Sequence, residues 1–280
     1  MTRLVQRGAR KTYRFWENAG VHVTPVGFDS PIPSSDDLVP ERFDRRYSCI
    51  GVDWNVDGQR ATLHEVVVPH VGEHELPENP GLSRADAAVL YGMIRHHKPR
   101  RMVEAGSGWS TTFAAAACLR NAAEGSPCDY VAYDPYPGPR TRDGLDGLTA
   151  LHPVRAQDVD PDELADCDLL FIDSSHVAAI GSDVNHLVLE VLPRLRPGTL
   201  VHFHDILLPG EYWREWLVER HHFWSEQYLV HALLLYNDTF RIRWAAHYMQ
   251  LEHPEEVAAA LPMFDPSRHR LSSLWLQRER

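Results

Sequence analysis

Cysteine is scarce in this chain and never closely paired. Cys49, Cys118, Cys128 and Cys167 form no CxxC, which argues against a disulfide framework or a zinc–thiolate centre and points to reduced thiols in a cytoplasmic compartment. Long apolar runs are missing as well. No stretch approaches the roughly 20 uninterrupted apolar residues of a membrane span, so no membrane partner is expected. The basic N-terminus, MTRLVQRGARKTYRFW, lacks the apolar core and small-residue cleavage site of a secretory signal. Positive charge is in deficit: 28 Lys and Arg stand against 39 Asp and Glu, a formal net charge of -11. Nucleic-acid binding needs a clustered basic face, so that partner class is excluded. The densest cationic run (Arg3, Arg7, Arg10, Lys11, Arg14) is short and reads as a solvated face. Internal repeats and low-complexity tracts are also absent.

The 280 residues, 44% of them hydrophobic, suit one large α/β domain or a core carrying an extension. Residues 1–80 are rich in proline and in short, poorly periodic strands, and ATLHEVVVPHV (61–71) could hold one buried strand. This segment is expected to be an extension, serving as a lid or a dimer arm, with 81–280 as the core. From Ser83 the pattern becomes regular. SRADAAVLYGMIRHH begins with a good N-cap and has apolar residues at helical spacing. Strands are expected at RMVEAG, DYVAYD, LHPVRA, DLLFID and TLVHFHD, with helices at WSTTFAAAACLRNAAEG and VNHLVLEVLPRL. Strands alternating with helices imply a parallel sheet covered on both faces. The strand-like FRIRWAAHYM (240–249) and SSLWLQR (272–278) would form an antiparallel pair at its edge.

One stretch, RMVEAGSGWSTT (101–112), places a carboxylate before two glycines and a helix start. In an open parallel sheet such a turn sits where ligands bind, and glycines let the backbone approach closely. A dinucleotide fingerprint wants a third glycine, but position 111 is threonine. Glu104, directly before the turn, would repel a pyrophosphate and suits a cationic, phosphate-free ligand such as S-adenosylmethionine. Asp134 closes the second strand, where ribose hydroxyls bind in such folds.

These segments resemble the class I S-adenosylmethionine-dependent methyltransferases. VEAGSGWST is similar to their first motif and YDPYP to their second acidic motif. FIDSSH resembles the D-x-x-H after strand four, VHFHDI the ending of strand five, and SSLWLQR the seventh strand, which pairs with the sixth. GVHVTPVGFDSPIP also resembles a leader found on some bacterial small-molecule members. The resemblance implies a Rossmann-like, mostly parallel seven-stranded sheet ending in an antiparallel hairpin. It also implies a cofactor site of Glu104, Gly106, Ser107, Gly108 and Ser110 at the methionine end, Asp134 at the ribose, and Gln157 with Asp158 near the adenine. Some metal-dependent O-methyltransferases of this kind hold magnesium through acids at the strand ends, and the matching positions here are Asp173, His204 and Asp205. The histidine departs from magnesium's all-oxygen preference, which leaves manganese, iron or zinc, or no metal, open.

The expected activity is methyl transfer to a small-molecule acceptor, at an oxygen. Asp173, His176 and His204 would be the catalytic groups, with His or a metal aiding deprotonation. His202 is weighed evenly between core and site. An Fe(II) oxygenase or cyclase on the same scaffold, a non-catalytic S-adenosylmethionine-binding protein and a nicotinamide enzyme are the alternatives, and a homo-oligomer is left open.

Overall fold

A computed structural model describes residues 2–280. The chain divides into two compact units, residues 1–45 with 212–223, and residues 46–211 with 224–280. The smaller unit carries the helices Thr2–Lys11, Tyr13–Asn18 and Pro40–Phe43 and a turn of helix at Glu215–Glu219. It contains no strand among the described residues, contrary to expectation. Proline and glycine interrupt its second stretch, 20–34, which forms neither helix nor strand.

Residues 61–71, where a buried strand was expected, are helical. Val56–Ala61, Thr62–Val67 and Val68–His70 follow one another as three helical segments. The valines that suggested a strand mislead because the apolar positions that matter, Leu63 and Val67, are four apart and share one helix face. Both are fully buried in the core. They pack on the helix Arg84–His97 at Gly92, where a Cβ would come within 2.9 Å of the Val67 backbone. Small residues there let two helices approach closely.

The larger unit is built on a seven-stranded sheet. Its strands are β1 (Arg101–Ala105), β2 (Asp129–Tyr133), β3 (Ala150–His152), β4 (Leu169–Ile172), β5 (Leu200–Phe203), β6 (Phe240–Ala245) and β7 (Leu274–Arg278). Their order is β3-β2-β1-β4-β5-β7-β6. The first five pair in parallel; β7 runs antiparallel to both β5 and β6. This is the Rossmann-like arrangement with its C-terminal hairpin. The hairpin needed one adjustment: β6 stops at Ala245, and the helix Ala246–Glu252 takes up the rest of the second strand-like segment.

Burial explains the strand sequences. Every residue of β4 and β5 is buried, as continuous apolar runs covered on both faces should be. One face meets the helices Arg84–His97 and Trp109–Ala123 in a core containing Met93, Phe113, Tyr130, Phe171 and Trp275. The other meets the segments over 183–194 and the helix Glu226–Leu234 through Val103, Ile172, Leu187 and Phe203. Ser83 caps the first of these helices as expected, its side chain accepting from the Asp86 amide at 3.0 Å. Asp86 in turn is buried and accepts from the Ser273 hydroxyl at 2.6 Å and the Ser272 amide at 3.2 Å. A helix cap is thus tied to the start of β7. The parallel order places the ends of β1, β2, β4 and β5 along one edge, where the glycine turn and the acid–histidine motifs emerge.

Candidate active site

The turn after β1 has little freedom. Gly106 has φ +100, and a Cβ on it would lie 2.0 Å from the Asp173 carbonyl oxygen. Its own amide donates to the Tyr133 carbonyl at 2.9 Å. The backbone therefore threads between the ends of β2 and β4 where only glycine fits. Beside it lies an open cleft of about 470 Å³ whose lining includes Gly106, Ser107, Asp134, Gln157, Asp173 and Asp183. The Ser107 hydroxyl donates to Asp134 at 2.6 Å, and the Tyr136 amide donates to the same carboxylate at 2.8 Å. These bonds hold Asp134 in place at the tip of β2.

Four of the eight expected cofactor residues, Gly106, Ser107, Asp134 and Gln157, line the cleft. The other four do not. Glu104 is only 1% exposed and turns its carboxylate away, towards the start of the helix Trp109–Ala123. There it accepts hydrogen bonds from Ser110 at 2.9 Å, from Thr111 at 3.0 Å and from the Tyr130 hydroxyl. Burial pushes its pKa up to about 7, against the opposing pull of these three hydroxyls. Strand alternation is the reason: in β1, Met102 and Glu104 share the face that meets that helix. Ser110 is spent on Glu104, and the Gly108 amide on Thr111 at 2.8 Å. Asp158 is exposed and paired with Arg155 at 2.7 Å.

Beyond the cleft, β4 and β5 deliver a cluster. Oxygens of Asp173 and Asp205 and a ring nitrogen of His176 lie within 4.8 Å of one another. His176 Nε2 is 3.3 Å from Asp173 and 3.7 Å from Asp205. His204 flanks the set, its Nδ1 3.5 Å from Asp173 and 3.4 Å from Asp205, while its Nε2 faces the Ser272 hydroxyl at 3.5 Å. His176 therefore takes the place in the convergent set that was expected for His204. Backbone conformation decides this. His176 has φ +58 and Asp205 φ +56, a left-handed conformation that costs non-glycine residues energy and concentrates at functional sites.

The charges in the cluster are mutually dependent. Burial alone would raise Asp173, but His204 and His176 hold it well below the ordinary carboxylate range. Asp205 is lowered in the same way, burial opposing and His204 prevailing. Burial opposes protonation of His176, yet hydrogen bonds to Asp173 and Glu226 push it up to about 10. His204 is raised well above the ordinary value against the same penalty, by Asp205 and Asp173. His202 differs: burial and the neighbouring His204 depress it strongly. It stacks on Phe171 with ring centroids 4.0 Å apart and meets Trp275 edge-on, so it is a core residue.

Glu226 was missed by the sequence analysis. It is fully buried and its Oε2 lies 2.8 Å from His176 Nδ1. It sits in a helix fifty residues downstream of His176, inside an aromatic stretch with no motif around it. Trp224 is likewise brought against His176, with ring centroids 4.5 Å apart.

Residues 103–206 match the family model described as a methyltransferase domain. Among solved structures, the chain is similar to the S-adenosylhomocysteine-bound methyltransferase PaMTH1 of Podospora anserina, at 13% identity over 91% of this chain and 100% of that one, with a TM-score of 0.44. It is similar to human N-acetylserotonin methyltransferase in complex with S-adenosylmethionine at 13% identity, over 70% of this chain and 56% of that one, with a TM-score of 0.34. No curated protein matches the chain. The matched segment runs from within β1 to just past β5 and so takes in the glycine turn, the cleft-lining Asp134 and the acid–histidine cluster. Within the larger unit, residues 103–206 are thus similar to a methyltransferase domain.

Proposed function

We propose that the chain methylates an oxygen of a small-molecule acceptor held at the Asp173–His176–Asp205 cluster. One observation carries this reading: Asp173 belongs both to the wall of the cleft and to the cluster. Donor and acceptor sites are therefore contiguous, and positioning the two reactants end to end can supply much of the acceleration. When bound, S-adenosylmethionine supplies an electrophilic methyl on a sulfonium.

The cleft residues fit that donor. Gly106 leaves room for close backbone approach, Asp134 offers a preset carboxylate for ribose hydroxyls, and Gln157 stands further along the same wall. Asp173 puts a carboxylate, held ionised by its neighbours, beside the place where the sulfonium would lie.

The cluster also fits a divalent cation. Two carboxylates and one imidazole converge, and such a mixed set suits manganese, zinc or iron better than magnesium. A bound cation lowers the pKa of an acceptor hydroxyl; Asp173, His176 and Asp205 would be its protein ligands, with His204 orienting both acids. The iron facial triad of oxygenases uses two imidazoles and one carboxylate, and the convergent set here has the reverse count.

Calorimetry with S-adenosylhomocysteine, followed by transfer of a labelled methyl to a panel of hydroxylated small molecules with and without Mn(II), tests the proposal. The expected outcome is heat on cofactor addition, transfer to at least one hydroxyl, and a loss of about a hundredfold or more in His176→Gln with cofactor affinity retained. Transfer that survives this substitution undiminished, or that goes only to nitrogen or carbon, overturns it.

A further inference from the structure

The segment 173–178 is gripped from one side by the start of the helix Glu226–Leu234. The amides of Ser225 and Glu226 both donate to the His176 carbonyl, at 2.9 and 3.1 Å. The Ser225 hydroxyl accepts from the Ala178 amide at 2.9 Å. The Glu226 carboxylate meets His176 Nδ1 at 2.8 Å, and Trp224 lies against the ring. His176 is thus held in its left-handed conformation by two amide bonds to its carbonyl, with the Ser225 hydroxyl fixing the chain two residues on, and its Nδ1 is held by one carboxylate.

That carboxylate is unusual. Glu226 is 0% exposed, and its second oxygen, Oε1, is buried with no hydrogen-bond partner among the described residues. A buried carboxylate with one oxygen unsatisfied is costly. A carboxylate can only accept, so Nδ1 of His176 donates this bond, as Nε2 does towards Asp173 at 3.3 Å. The ring's other nitrogen, Nε2, is then the atom presented to Asp173 and Asp205. Fixing one imidazole nitrogen through a buried carboxylate is a general way to orient and strengthen the other as a ligand or acceptor.

We infer that Glu226 is a positioning residue of this active site: it holds a proton on Nδ1 of His176 and aims Nε2 at the two acids, so that Nε2 is the nitrogen that gives up its proton when acceptor or cation binds there. The inference rests on the proposed role of the cluster, yet the bond itself can be read without turnover. Replacing Glu226 removes the carboxylate that bonds Nδ1.

The test uses the full chain labelled with 15N at histidine and read by long-range proton–nitrogen correlation. His176 is assigned by loss of its signals in H176Q. The wild type is expected to show a slowly exchanging Nδ1 proton shifted downfield by the carboxylate. Glu226→Leu should lose that proton's protection, and Glu226→Gln should keep the bond in weakened form, with less downfield shift and faster exchange. Both variants should bind S-adenosylhomocysteine within about threefold of wild type, because Glu226 does not line the cleft. With Zn(II) added, the wild-type Nε2 resonance should move, and Glu226→Leu should bind Zn(II) about ten- to a hundredfold more weakly. A wild-type Nδ1 without a proton, or an Nδ1 proton unchanged in both variants, overturns the inference; the Gln variant decides if the Leu variant does not fold. If the Nδ1 results hold while Zn(II) leaves Nε2 unmoved, Glu226 stands as the positioning residue and the metal part of the proposed function fails.

Discussion

Glu104 offers the sharpest test of how the glycine turn is built. As a free carboxyl its pKa would be 4.5; buried in the folded chain it rises to about 7. Between those values the folded protein holds a proton that the unfolded chain has released, so the associated stability is fully present below about pH 4.5 and is lost as pH climbs through 7. At about 1.4 kcal/mol per pH unit, the interval corresponds to about 3 kcal/mol. Glu104→Gln cannot titrate there, while every other ionisable group is common to both proteins. The stability of wild type minus that of the variant should therefore fall by about 3 kcal/mol between pH 4.5 and pH 8. Urea unfolding of both proteins at half-unit pH intervals, without cofactor, measures this difference directly. A flat difference would mean that the three hydroxyls from Ser110, Thr111 and Tyr130 already compensate the buried charge. A difference that rises with pH would mean that Glu104 is ionised beside a cation. Either result refutes the reading of Glu104 as a buried acid that pins the helix start.

Gly106→Ala should cost about 3 kcal/mol or more in chemical denaturation, through both the positive φ and the collision with the Asp173 carbonyl; a loss below 1 kcal/mol would show that the turn can move aside. Asp134→Asn should weaken S-adenosylhomocysteine binding by about tenfold, one charge-assisted bond, with unfolding essentially unchanged; equal affinity in calorimetry would remove Asp134 from the cofactor site. His202→Phe should be neutral or stabilising by up to about 1 kcal/mol, because the Nδ1 of His202 is buried without a partner and the ring already stacks on Phe171. A strong loss of methyl transfer in a well-folded His202→Phe would place that residue in the site after all.

Much of the core was legible in the chain itself. Continuous apolar runs announced β4 and β5, Ser83 announced a helix start, and EAGSG announced a tight turn at a strand end, because each of these signals is local. Asp134, Asp173 and Asp205 were also legible, since an acid at the end of a buried strand has only one edge to occupy. The misreading of 61–71 came from composition: β-branched residues favour strands only until a tertiary surface, here the groove at Gly92, rewards burying Leu63 and Val67 together.

What the sequence alone determined, then, was which strand ends carry the glycine turn, the acids and the histidines. Only the tertiary structure decided which atoms meet. Pleat alternation turned Glu104 into the core, left-handed backbone at His176 and Asp205 put Nε2 of one beside the carboxylate of the other, and a helix from far along the chain supplied Glu226. Side-chain direction at a strand end depends on a few dihedral angles and on distant packing, and neither leaves a periodic trace in the order of residues.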